Sequence, residues 1–221
     1  MNDILEMKKL LPGSMCPVMM TRIPKPIMRE IDGWVKECRK VKDSPLMELR
    51  SHNNYGYVSN PERKKYNSYQ TAVPVHLIEN SYWLAWTLRL ATKYWGNNKF
   101  DSRQFKVGRW DGHWDGYDVW INFAYQGDEN PIHQHRGKLS GVVYYKNTQD
   151  GDPTLFPEYK DPSGIPIAYA GQPGTMILFP ASVVHGVEKK ITKGERITFA
   201  FNIDDATDSS RFHFPHYSHN D

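Results

Sequence analysis

Three histidines bear the side chains best suited to chemistry in this sequence. His133 and His135 stand two apart in PIHQHRGKLSGVVYY, residues 131–145. Side chains two apart on an extended strand share a face, so both imidazoles would point into one cavity. His185 follows in GTMILFPASVVHGVEKK, where residues 176–179 read as a buried strand whose regular pairing ends at Pro180. Two ligands from one strand and one from a distant strand would hold a metal ion on one side only. Structural zinc sites usually recruit thiolates and close the fourth position. Cys16 and Cys38, the two cysteines of the chain, both lie far from this half. An open, reactive metal is therefore the expectation.

Eleven residues after His185 comes Arg196, in GERITFAFN. There Arg196, Thr198, Ala200 and Asn202 alternate with Ile197, Phe199 and Phe201, the pattern of a strand with one apolar and one polar face. An arginine on the cavity side of such a strand invites a carboxylate, because its planar fork matches two oxygens. Imidazole ligands suit Fe(II), Zn or Cu, and two His with one carboxylate form the open platform of non-haem Fe(II) oxygenases.

Positioning these groups requires strands, and the second half of the chain supplies them. After residue 100, short runs rich in Val, Ile, Phe, Tyr and Trp alternate with turn clusters such as DGHWDG, QGDENP, DPSG, GQPG and TKGE, which predicts a sandwich or barrel. Upstream, Pro24 and Pro26 precede Ile27, Ile31, Trp34, Val35 and Cys38, spacings of three and four that predict an amphipathic helix. Residues 50–72 keep neither period for long and read as a long loop with room for a short strand. Residues 75–95, dense in Leu, Trp and Ala without Pro or Gly, predict a second, largely buried helix stopped at Gly96 and Asn97. The fold expected is mainly β with N-terminal helices. It forms one domain: a helical and loop elaboration over 1–100, a β core over 101–205 and a tail over 206–221.

Composition narrows the partners. The 221 residues carry 28 Lys+Arg against 25 Asp+Glu, a formal charge of +3, which lacks the basic excess that drives backbone-led nucleic-acid binding. At 13% aromatic the chain is too rich in core-building residues for a disordered protein. No apolar run approaches the length of a membrane span. The start, MNDILEMKKLLPGSM, does not read as a signal peptide, and two cysteines suit a reducing, cytoplasmic setting.

HQHRGKLSGVVYY and FPASVVHGVEKKITKGERITFAFN together resemble the 2-oxoglutarate- and Fe(II)-dependent oxygenases, specifically their uncharacterised phage and bacterial branch. The resemblance covers roughly residues 105–202. It implies a double-stranded β-helix, a jelly-roll, cupin-like core, with Fe(II) held by His133 and His185 and with Arg196 binding the distal carboxylate of 2-oxoglutarate as cosubstrate. Asn122, Ser140, Tyr144, Tyr145 and Asn202 are candidates to line the cosubstrate pocket. The implied activity is a dioxygenase that hydroxylates a C–H bond of a small-molecule or peptide substrate and releases succinate and CO2.

The sequence departs from the family at one ligand. The usual motif is His-x-Asp or His-x-Glu, and here His135 takes the acid position. Three readings stay open. His135 is a third iron ligand; or a loop acid, Asp128, Glu129 or Asp152, supplies the carboxylate; or His135 is the first ligand of an HRG motif with Gly137 at the acid position, which would leave room for halide as in halogenases. The rival functions are a cupin-type metal-binding barrel and a three-His iron dioxygenase that needs no 2-oxoglutarate. His113, Trp110, Trp114 and Trp120 read as packing or entrance residues. His213, His216 and His219 belong to the tail, and Arg63, Lys64 and Lys65 to a solvated loop. Substrate identity and oligomeric state are not legible.

Overall fold

The computed structural model describes residues 7–9, 15–42, 69–94, 105–107, 109–110, 116–117, 119–135, 137–147 and 152–205. Residues 50–68 with the basic run at 63–65, the Gly96 and Asn97 stop, His113, Trp114 and the tail over 206–221 lie outside the described residues.

Where valine, isoleucine and aromatic residues run between turn clusters, the chain forms antiparallel strands. In chain order the elements are β1 (Met7–Lys9), β2 (Met19–Arg22), α1 (Lys25–Lys42), β3 (Tyr69–Ala72), α2 (Val75–Ile78), α3 (Tyr82–Tyr94), β4 (Phe105–Val107), β5 (Arg109–Trp110), β6 (Gly116–Tyr117), β7 (Val119–Ala124), β8 (Asn130–His133), β9 (Leu139–Lys146), β10 (Thr154–Lys160), β11 (Pro166–Tyr169), β12 (Thr175–Pro180), β13 (His185–Val187) and β14 (Arg196–Asp205). The larger sheet runs β1-β2-β12-β9-β14-β7-β3, with β4 pairing along the end of β14. The smaller runs β11-β10-β13-β8, and β5 and β6 form a separate ribbon. Phe156 and Ile167 of the smaller sheet share a buried cluster with Tyr144, Ile177 and Phe179 of the larger, so the two sheets face each other. This is the double-stranded β-helix expected from the sequence, mainly β with N-terminal helices.

The first hundred residues do more than buttress this core. β2 pairs with β12 in the register Thr175↔Arg22 to Leu178↔Met19, and β3 pairs with β7. The N-terminal segment thereby extends the larger sheet on both sides.

α1 buries Ile27, Ile31, Trp34, Val35 and Cys38, the apolar face its spacing predicts. It starts beside Pro26, whose fixed φ suits a first helical turn. The helix expected over 75–95 is instead two, because the chain breaks at Ser81. The Ser81 hydroxyl accepts from Leu84 N at 3.1 Å, and the Glu30 carboxylate of α1 accepts from Tyr82 N at 3.0 Å and Trp83 N at 2.9 Å. These bonds satisfy amide donors that a helix start leaves without partners. Trp83 of α3 then packs its ring edge-on to Phe199 and Phe201 of β14, at 5.0 and 5.1 Å between centroids. Among the described residues no helix is long and apolar enough to cross a membrane.

Candidate functional site

Strand alternation decides which side chains reach the space between the sheets. On β14, Ile197, Phe199, Phe201 and Ile203 join the core shared with the helices, while Arg196, Thr198 and Ala200 line a cavity between the sheets. On β9, Leu139, Val143 and Tyr145 face the helices, and Ser140 and Val142 face the cavity. Asn122 of β7 stands opposite Thr198 and also lines it.

The three histidines meet at one end of this cavity. His133 of β8 lies directly across from His185 of β13 in the strand register, and His135 follows two residues on, its backbone N–H donating to Ala181 O at 2.9 Å. One ring nitrogen of each comes within 4.8 Å of the others, close enough for one ion to engage all three. His133 Nδ1 lies 2.6 Å from Pro131 O and His185 Nδ1 lies 2.9 Å from Val183 O. A carbonyl only accepts, so each Nδ1 carries the proton and each Nε2 keeps its lone pair for a metal. Trp120 packs 5.6 Å from the His135 ring and Phe179 4.8 Å from the His185 ring. Burial lowers the pKa of His133 below its ordinary value. Burial together with the neighbouring imidazoles pushes His135 down to about 3, and His185, with His133 beside it, down to about 4. All three are neutral at neutral pH, the form that ligates.

At the other end stands Arg196, 5% exposed, with its guanidinium carbon 6.0 Å from the centre of the Tyr144 ring. Burial draws its pKa down from the ordinary value, opposed by the charges of Tyr144 and Asp152; arginine remains a cation regardless. Among the described residues its Nε has no hydrogen-bond partner, and neither does Asn122 Oδ1. An unsatisfied buried donor on a cation is costly, and a carboxylate in the cavity would satisfy it. Between the two ends, Asn122 Nδ2 donates to Thr198 Oγ1 at 3.2 Å and Ser140 Oγ donates to Asn202 Oδ1 at 2.6 Å. Three neutral nitrogen donors and a buried guanidinium that line one cavity fit a divalent metal ion and a dicarboxylate.

The remaining candidates divide by strand parity. Asn122 and Ser140 line the cavity. Asn202 reaches it through Ser140, and Tyr144 does so through its hydroxyl, 2.7 Å from the cavity-lining Thr154 Oγ1. Tyr145 does not belong with them: it faces α1, where its hydroxyl bonds the Asp32 carboxylate. Adjacent residues on a strand point to opposite faces, so Tyr144 and Tyr145 cannot both face inward. Of the acids weighed as ligands, Asp128 accepts from Tyr125 N at 2.7 Å and Asp152 pairs with Lys190 at 2.9 Å. Among the described residues the metal-competent group is His133, His135 and His185, and Asp128, Glu129 and Asp152 are outside it. Gly137, at φ 103°, sits between β8 and β9 and offers no ligand. Thr154 and Thr198 also line the cavity; for Thr198 the signal is the strand parity it shares with Arg196, whereas Thr154, on β10, carries no such signal in the sequence.

Residues 118–202 match a family model described as "Putative 2OG-Fe(II) oxygenase". No curated protein matches the sequence. Among solved structures, a prolyl-4-hydroxylase from Pseudomonas putida superposes with a TM-score of 0.53 at 14% identity, over 85% of this chain and 93% of that one. EctD from S. alaskensis with bound Fe gives 0.51 at 16% identity, over 90% and 83%. An oxidoreductase of the 2OG-Fe(II) oxygenase family from Burkholderia pseudomallei gives 0.42 at 17% identity over 58% of this chain, which spans 55% of that protein's length.

Proposed function

We propose that the chain is a 2-oxoglutarate- and Fe(II)-dependent oxygenase, the family whose model its residues 118–202 match, and that it hydroxylates a C–H bond of a small-molecule or peptide substrate. Fe(II) with 2-oxoglutarate and O2 supplies the oxidant for such chemistry, one oxygen atom going to the substrate and one to succinate as CO2 is released. The observation that carries the proposal is the cavity shared by the three imidazoles and Arg196, whose Nε has no partner among the described residues.

In this reading His133, His135 and His185 hold the iron from one side, with two of their Nδ1–H groups bonded to backbone carbonyls so that the rings cannot turn away. Arg196 takes the distal carboxylate. Asn122, Ser140 and Thr198 offer hydroxyl and amide groups along the path, and Phe179 and Trp120 keep water from the imidazoles. The protein's part is to bind, orient and shield.

A second reading has its own support, because the metal-competent group of described residues holds no carboxylate. It is a three-His iron dioxygenase, or a cupin-type barrel, that does not use 2-oxoglutarate. One experiment separates the two: Fe(II) and then 2-oxoglutarate are added to the metal-free protein without oxygen, and the visible spectrum is followed. A weak charge-transfer band that appears with 2-oxoglutarate and is lost in Arg196→Ala supports the oxygenase. Metal uptake with no response to 2-oxoglutarate supports the second reading.

A further inference from the structure

Besides Arg196 the fold buries a second cation, Lys190, for which the reaction above has no direct use. Lys190 is 2% exposed, and its Nζ lies 2.9 Å from Oδ2 of Asp152, itself 6% exposed. The ammonium also donates to Thr192 O at 2.9 Å and to Thr192 Oγ1, and that hydroxyl reaches Asp152 Oδ1 at 3.3 Å. Two backbone bonds, Lys190 N to Asp128 O at 2.7 Å and Gly127 N to Lys190 O at 2.8 Å, pin the lysine to the turn between β7 and β8. The network abuts the cavity. Thr154, two residues after Asp152, pairs with Val187, three residues before Lys190, and both line the cavity beside Arg196.

Stability alone does not call for such a group. A buried ion pair replaced by apolar residues of similar volume is often neutral or more stable, whereas removal of one partner strands the other. The pair has a consequence for its neighbour instead. Asp152 is close enough for its charge to act on Arg196, yet its carboxylate is engaged by Lys190, and among the described residues Arg196 makes no ion pair. Among the described residues Asp152 thus pairs with one buried cation, Lys190, and acts on a second, Arg196, without pairing with it.

We infer that Lys190 is a positioning residue for the cosubstrate: by holding Asp152 in an ion pair, it keeps the Arg196 guanidinium available to an incoming carboxylate. Without the lysine, Asp152 would be a buried carboxylate whose charge already acts on Arg196, and Arg196 would be drawn toward it and away from the cavity. The inference rests on the 2-oxoglutarate reading of the site.

The test uses the full chain loaded with Ni(II) in place of iron and titrated with 2-oxoglutarate in a calorimeter, with metal affinity and melting temperature measured alongside. Lys190→Met should bind 2-oxoglutarate on the order of tenfold more weakly while keeping its metal affinity. The double variant Lys190→Met with Asp152→Asn should return to within about threefold of wild type, since the competing carboxylate is gone. Asp152→Asn alone should bind at least as tightly as wild type, which keeps the inference open to refutation if Lys190→Met does not fold. Wild-type affinity in Lys190→Met, a double variant as weak as that single one, or weakened binding in Asp152→Asn would each overturn it. A wild type that takes up metal and no 2-oxoglutarate overturns the oxygenase reading itself, and this inference with it, before any variant is made.

Discussion

The two faces of the larger sheet are built from the same strands and solve opposite problems. Toward the helices, Phe199, Phe201 and Ile203 of β14 and Val143 of β9 are wholly buried against Trp34 and Trp83. Aromatic pairs of this kind add about 0.5–1.5 kcal/mol each beyond the area they bury. Toward the smaller sheet the same strands present Arg196, Thr198, Asn202 and Ser140, all buried, and the cavity there leaves an arginine nitrogen and an amide oxygen without partners among the described residues. Trp83 Nε1 on the helix side is also buried without a partner among the described residues, but there apolar side chains fill the space around it; the other face leaves a buried cation beside a cavity, in the form a ligand would complete. Stability and binding are thus written on alternate residues of one strand, and substitutions should separate them.

The sharpest separation is expected at the metal end. His185→Ala removes one of three donors. Loss of a group that merely orients a ligand typically costs 10–100-fold in metal affinity, so loss of the ligand itself should exceed about 100-fold. Calorimetric titration with Zn(II) or Ni(II) reads it, and a metal affinity left intact would break the comparison at its most important point. Phe199→Ala attacks the other face. A truncated buried phenylalanine costs about 3–5 kcal/mol, to be read as a lower urea midpoint, while the folded fraction should bind metal as before. Arg196→Gln returns to the cavity side. Loss of a charged hydrogen-bonding partner, about 1.5–3 kcal/mol, should weaken 2-oxoglutarate binding by roughly one to two orders of magnitude, with metal affinity and melting temperature little changed. A fall in stability as large as that of Phe199→Ala would show that Arg196 serves the core and not the site.

How much of this was legible follows from which interactions are local. His133 and His135 share a face by strand period alone, and the alternation from Arg196 to Asn202 sorted that strand into its two faces before any partner was known. The apolar face of α1 was equally plain. Parity could also have excluded Tyr145 once Tyr144 was placed inward, but which of the two points inward depends on the register with β12 and β14, set by residues far along the chain. The break at Ser81 needed the Glu30 carboxylate from another helix. β2 is four residues long and becomes a strand through its pairing with β1 and with the distant β12. Lys190 sits in a run, EKK, that resembles any solvated turn, and Asp152, its partner, comes from a distant segment.

The smallest expected effect tests the comparison across two consecutive residues. Glu195 precedes Arg196 and belongs to the opposite face: its carboxylate accepts two bonds from Arg39 of α1, at 2.8 and 2.7 Å, and one from the Tyr125 hydroxyl at 2.8 Å. Burial alone would raise its pKa, but these bonds and the Arg39 charge more than reverse that and bring it down from 4.5 to about 2. A depressed carboxylate stabilises the fold fully above its unfolded value and loses that contribution as pH falls through the folded one. The loss should therefore run from about pH 5 down to about pH 2. Because Arg39 is 38% exposed, solvent screening limits the pair to about 1 kcal/mol. Denaturation midpoints measured through this range should fall more steeply for wild type than for Glu195→Gln, which has no charge there to lose. At neutral pH Glu195→Gln should keep wild-type affinity for 2-oxoglutarate, since its bonds tie α1 to the helix-facing side of β14. A variant that loses cosubstrate affinity along with its acid sensitivity would mean that the two faces communicate through the backbone between residues 195 and 196, and that stability and binding cannot be separated at the start of this strand.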